Sequence, residues 1–191
     1  MPDPLRPPKP TPEALASAQG MTVPDLIAPG LRVLFVGINP SLYSAAVGCH
    51  FARPGNRFWP ALLAGGFTPR LFSPAEGPAL LALGLGITNV VPRATATAAE
   101  LSRDDYLAGA VDLESKVRAY RPRVVAFVGI IAYRTAFDRP GAIVGLQSAP
   151  LGDSTVWVLP NPSALNAHFQ PKELGLLFKD LRIAVDALGP A

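Results

Sequence analysis

"LRVLFVGINPSLYSAAVGCHFARPGNRFW", residues 31–59, begins as an apolar, β-branched run and breaks at Gly37 into an Asn-Pro-Ser turn and a loop crowded with Gly, Pro, Arg and aromatics. Its apolar part is near-continuous rather than alternating, which is what a strand of a parallel sheet covered on both faces requires. Three more segments share this character: "ITNVV" (87–91), "RVVAFVG" (123–129) and "STVWVLP" (154–160). Helical patterns lie between and after them. Over 102–120, Ser102 is placed to cap with Asp105, and Leu107, Ala110, Val111, Val117 and Tyr120 share one face. Over 171–188, Pro171 takes a favourable first position, and Leu174, Leu177, Phe178, Leu181 and Val185 fall at helical spacing. The expected fold is a three-layer α/β/α sandwich on a mainly parallel four-stranded sheet. Ligand sites of such sheets gather at the carboxyl ends of the strands, here the loops after Gly37, Val91, Gly129 and Leu159.

The chain of 191 residues, 49% hydrophobic and 16% charged, suits one folded domain. Apolar runs last about ten residues before a charge, too short to span a bilayer, so a cytosolic location without membrane contact is expected. Cys49 is the only cysteine, and its neighbour His50 and the distant His168 do not make a metal-ligand set; neither metal nor cofactor is expected. A net charge of +3 fits a polyanionic partner and an ordinary soluble protein equally well. Residues 1–24 carry Pro2, Pro4, Pro7, Pro8, Pro10, Pro12 and Pro24 with few large apolar groups. They are expected to form a flexible basic tail, of which residues 1–20 are dispensable for activity, before a domain of residues 25–191. A monomer is expected.

Two strand ends carry the same signature, "FVGINPS" (35–41) and "VLPNPSAL" (158–165). Turn chemistry explains either one alone; two at one end of a sheet point to a site. It offers neutral groups, Asn39, Ser41, Ser44, Asn89 and Asn161, beside Phe51, Phe58 and Trp59, with no Ser-His-Asp constellation. Amides and backbone N–H groups can read the edge of a flat heterocycle while a ring stacks on its face, as in handling a base taken out of a duplex. Phe58 and Trp59 read as core residues opening a helix, which leaves Phe51, in the loop between Gly48 and Pro54, as the stacking candidate. Arg53, Arg57 and Arg70 flank the loop and Arg93 follows the second strand, positions suited to phosphates.

The stretch "GINPSLYSAAVGCHFARPGNRFW" closely resembles the first motif of the mismatch-specific uracil-DNA glycosylases, the Mug and thymine-DNA glycosylase branch of the uracil-DNA glycosylase superfamily, and "VLPNPSALNA" resembles the second. The resemblance runs from about Asp25 to Leu188. It implies an enzyme that flips a uracil, or a thymine or ethenocytosine, opposite guanine out of double-stranded DNA and hydrolyses its N-glycosidic bond without a cofactor. Asn39 then matches the residue that positions the attacking water, and Phe51 the ring that stacks on the base. Backbone N–H groups of Ile38 and Phe51 match those meeting the base carbonyls, Ser44 matches the position near the pyrimidine 5-carbon, and Asn89 stands at the pocket edge. Leu165 matches the wedge that fills the vacated stack. Asn161, Ser163, Ala164 and Asn166 match the loop meeting phosphates and the unpaired guanine. Arg53, Arg57 and Arg93 are the expected phosphate contacts.

The chain departs from the pattern at Ser41 and Ala164, where Gly is common, at Ala167 for an Arg, and at Asn89 for a Lys. Glu100, Asp104 and Asp153 are acidic candidates near strand ends, also explained by capping or solvation. Two other functions remain open: a non-catalytic sensor of mismatched or damaged DNA with the same fold, and a hydrolase of free nucleotides. Leu165 discriminates, since a small-ligand enzyme has no use for an apolar residue exposed in a polar turn.

Overall fold

In the computed structural model, which describes residues 9–164 and 169–189, strand β1 (Val33–Gly37) is buried at every position, and its side chains divide the core in two. Val33 and Phe35 point to one face of the sheet, with Phe58, Leu62, Leu174 and Phe178. Leu34 and Val36 point to the other, with Tyr106, Leu113, Val117 and Tyr133. A strand buried on both sides has no polar face to alternate with, which accounts for its unbroken apolar run.

The chain order after α1 (Pro12–Ser17) and β1 is α2 (Leu42–Val47), α3 (Phe58–Ala64), a 3-10 segment (Pro74–Leu83), β2 (Leu85–Asn89), α4 (Arg103–Tyr120), β3 (Val124–Val128), α5 (Ile130–Ala136), β4 (Gly145–Leu146), β5 (Thr155–Leu159) and α6 (Pro171–Ala187). The sheet order is β2-β1-β3-β5-β4. The four long strands are parallel, with Val36 opposite Thr88 and Phe127, and Val128 opposite Leu159. The expected α/β/α sandwich is therefore present, with one addition. A fifth strand, the two-residue β4, runs antiparallel on β5 at the edge and is too short to leave a periodic signal. Strand β2 starts two residues before the expected run, at Leu85, and ends at Asn89.

Helix α4 starts where the Ser102–Asp105 capping box puts it. Its buried face is Tyr106, Gly109, Ala110, Leu113 and Val117, whereas Leu107 and Val111 are exposed. Gly109 turns the helix this way: a Cβ there would overlap the Val90 carbonyl, so the bare glycine is the point of closest approach to the end of β2. Helix α6 buries Leu174, Phe178, Leu181 and Val185 as expected, and sets Gly175 against Ala64 of α3.

The expectation of a flexible segment up to residue 24 is corrected within the described residues. Thr11 caps α1, its Oγ1 accepting from the Ala14 N–H at 3.2 Å. Ala18 and Val23 are buried with Ala45 of α2 and Ala94. Proline-rich composition hid this contact because small alanines, with little side-chain entropy to lose, do the packing.

Candidate active site

The loops following β1, β2, β3 and β5 meet at one end of the sheet around a cavity of about 650 Å³. Its walls include Ile38 and Asn39 after β1, Thr95 to Ala98 after β2, Gly129 to Ile131 after β3, and Asn161 and Ser163 after β5. Both Asn-Pro turns thus open into the same space, as the sheet topology requires of parallel strands.

Asn39 is fixed by the loop after β2. Its Nδ2 donates to the Arg93 carbonyl at 3.1 Å and to Thr95 Oγ1 at 2.7 Å. A carbonyl oxygen only accepts, so the amide orientation is dictated by chemistry. The Thr95 hydroxyl spends its own proton on the Thr97 carbonyl at 2.8 Å, which leaves its lone pair for Asn39. With both amide protons committed, the Asn39 carbonyl oxygen is the group offered to the cavity. Thr95 escaped the sequence reading; its signal was a polar residue six positions past Asn89 in a loop already singled out. Phe169, Asn56, Ile131 and Val144 also line the cavity and were not foreseen.

Phe51 lines the cavity with a left-handed backbone, φ 52°, unusual for an aromatic residue. Its ring lies on Phe58, centroids 4.0 Å apart and planes 21° from parallel. Phe58 and Trp59 are core residues, as expected. Gly37 underlies this arrangement: a Cβ there would overlap Asn89 Oδ1 and reach 3.2 Å from Phe51 Cζ.

Two expected pocket residues sit behind the cavity wall. Ser44 is buried, accepting from the Ala52 N–H at 3.1 Å and paired with Ser41 Oγ at 3.1 Å, so it braces the loop that carries Phe51. Asn89 is nine-tenths buried, its Nδ2 3.5 Å from His50 Nδ1. His50 Nε2 lies 2.9 Å from the Pro24 carbonyl, which can only accept, so the ring proton is on Nε2 and Nδ1 is the acceptor facing Asn89. Burial pushes the His50 pKa below its usual value and favours this neutral tautomer.

The arginines differ in their partners. Arg53 is exposed on the cavity rim. Arg57 donates from its backbone to Pro162 at 2.9 Å and from its guanidinium to the carbonyls of Phe169 at 2.7 Å and Ala164 at 3.3 Å. Arg93 forks onto Asp105, Nε to Oδ1 at 3.0 Å and Nη2 to Oδ2 at 2.7 Å. That guanidinium holds the Asp105 carboxyl well below the ordinary range. Arg57 and Arg93 thus tie neighbouring loops together through these contacts. Arg70 pairs with Glu76 at 2.5 Å.

In the second turn, Asn161 Oδ1 accepts from the Ser163 N–H at 2.9 Å and both residues line the cavity, while Ala164 is exposed and outside that lining. Leu165 and Asn166, with Ala167, lie outside the described residues. The acidic candidates stand away from the cavity lining. Glu100 closes a turn on the Thr97 N–H at 2.7 Å, and Asp104 and Asp153 are exposed. A site lined by amides, hydroxyls and aromatic carbon, with a fixed carbonyl oxygen, can orient a water without accepting its proton strongly.

The sequence profile of the family described as the uracil DNA glycosylase superfamily matches residues 24–182. The fold is similar to the solution NMR structure of a candidate uracil DNA glycosylase from Methanosarcina acetivorans. That likeness has a TM-score of 0.51 at 20% identity and covers 86% of this chain and 98% of that one.

Proposed function

The chain belongs to the uracil-DNA glycosylase superfamily, and from that premise we propose that it excises uracil mispaired with guanine in double-stranded DNA. The observation that carries this reading is the Asn39 amide, which lines the cavity with both N–H protons held by Arg93 and Thr95 and so has its carbonyl oxygen left to offer. Such a group holds a water but removes its proton poorly, which suits a nucleophile that attacks late. In the proposed reaction the glycosidic C–N bond breaks first and its electron pair leaves with the base. The sugar becomes oxocarbenium-like, and the departing anion is met by N–H groups of the first motif loop, including those of Ile38 and Phe51. Water held by Asn39 then adds at the sugar carbon, and the proton it loses passes to the departed base anion, which leaves as the neutral base. Phe51, backed by Phe58, stacks on the extruded base. Leu165 fills the space in the duplex, and Arg53 meets a phosphate.

The test is incubation with labelled duplexes carrying U·G, U·A or T·G and with single-stranded uracil, followed by alkaline cleavage of abasic sites. Release fastest from U·G supports the proposal. Binding to U·G duplex without release of base points instead to a mismatch sensor, and release from free nucleotides alone points to a small-molecule hydrolase.

A further inference from the structure

The segment that precedes the matched region makes contact with the residue standing between the two anchors of Asn39. Gly20 donates its N–H to the Ala94 carbonyl at 2.9 Å, and Ala94 returns its N–H to the Met21 carbonyl at 2.8 Å. This reciprocal pair pins the backbone of Ala94. On one side of it is Arg93, whose carbonyl receives Asn39, and on the other is Thr95, whose hydroxyl receives Asn39. Ala18 is fully buried in the small cluster of Val23, Ala45 and Ala94, which also draws in Leu42 and Ala46 of α2. A third tie runs from Gln19 Nε2 to Glu100 Oε2 at 3.3 Å, and Glu100 closes the turn at Thr97 that receives the Thr95 proton.

We infer that residues 11–23 are a positioning brace for excision, with Ala18, Gly20 and Met21 holding the 93–97 loop in the register that orients the Asn39 amide. The inference rests on the reading of Asn39 as the water-holding residue. The brace is a modest element by itself. Helix α1 buries none of its own residues, so the attachment depends on Ala18, Val23 and the paired backbone groups. Because a small misplacement of a catalytic group is costly, an element so far from the reacting atoms can still set the rate. The expectation that residues 1–20 are dispensable is replaced by its opposite for residues 11–20.

The experiment compares the full chain, deletions of residues 1–9 and 1–20, and the point variants Ala18→Glu and Ala18→Ser. Single-turnover excision, duplex affinity, thermal unfolding and hydrogen exchange of residues 92–97 are measured for each. Deletion of 1–9 and Ala18→Ser should behave as the full chain. Deletion of 1–20 and Ala18→Glu should lower the excision rate by roughly tenfold or more, the scale of a misplaced catalytic group. Their duplex affinity should hold and their 92–97 amides should exchange faster. If deletion of 1–20 does not fold, Ala18→Glu decides alone. A folded brace variant with the full-chain rate, beside an Asn39→Ala variant that has lost activity, overturns the inference. If Asn39→Ala keeps its rate, the reading of Asn39 fails. The brace is then judged by exchange, unchanged protection of 92–97 overturning it and faster exchange supporting it.

Discussion

Asn39 and Thr95 lie 56 residues apart in the chain and are joined by a 2.7 Å hydrogen bond in which the amide donates and the hydroxyl accepts. Replacing Asn39 by Ala removes the oxygen that faces the cavity and should lower the single-turnover rate roughly a hundredfold, within the range for loss of a positioned proton-transfer or water-holding group. Thr95→Val keeps the shape but loses the acceptor. It should cost about tenfold, because the Arg93 carbonyl still holds one amide proton. The double variant should be no slower than Asn39→Ala, since Thr95 acts only through that amide. Rates that multiply in the double variant would give Thr95 an independent role.

The buried His50 makes stability depend on pH in a definite direction. Its pKa in the folded chain lies below the ordinary 6.5, mainly because burial disfavours the charged ring. The carbonyl of Pro24 and the charge of Asp25 oppose that shift, and Lys116 adds to it. Between the folded and unfolded values the unfolded chain binds more protons, so stability rises with pH. The contribution is complete above 6.5 and is lost as pH falls below it toward the folded value. Denaturant unfolding of wild type and His50→Gln from about pH 8 to about pH 5 reads this out. Wild type should lose stability more steeply than the variant over the acid half, and parallel curves would contradict it.

Gly37 should not tolerate a side chain. Its Cβ would collide with Asn89 Oδ1 and press on the Phe51 ring, at a fully buried strand end. Gly37→Ala should therefore cost about 1–3 kcal/mol of stability, the usual range for overpacking. It should also slow excision, because Phe51 has to move. Adding Asn89→Ala should recover stability without recovering the rate. Recovery of both would mean that Asn89 only fills space and that Phe51 needs no fixed place.

The sequence carried the layered fold because β1 and β3 are buried at every position and print unbroken apolar runs, while β2 and β5 keep enough apolar positions, Leu85 and Ile87, Val156 and Val158, to be read beside them. It carried Asn39 and Phe51 because an Asn-Pro turn and a loop aromatic stand out locally. Thr95 did not stand out, since its importance lies in a partner 56 positions away. The loop contacts of Ser44, Arg57 and Arg93 did not stand out for a related reason. Whether a hydroxyl or a guanidinium faces a ligand or a neighbouring loop depends on where distant backbone N–H groups, carbonyls and carboxylates fall, as those of Ala52, Ala164 and Asp105 do here. The brace at Ala18 was masked by a proline-rich composition that normally accompanies disorder.

Arg57 separates the two ways a cation can serve a DNA enzyme. As a phosphate contact it would contribute counterion release, and its loss would reduce the slope of log affinity against log salt by about one. As a strut it holds the Phe169 and Ala164 carbonyls with a rigid fork and takes its place through its own N–H on Pro162. A lysine keeps the charge but cannot reproduce that fork. Arg57→Lys and Arg57→Ala should therefore behave alike, with lower excision rates, weaker duplex binding and an unchanged salt slope. Arg53→Ala, which removes an exposed rim cation, should reduce the slope while leaving the rate on bound substrate in place. Affinities for a U·G duplex across a salt series, with single-turnover rates at saturation, decide between them. Full rescue by Arg57→Lys together with a reduced slope in Arg57→Ala would make Arg57 a phosphate contact and end its role as a strut.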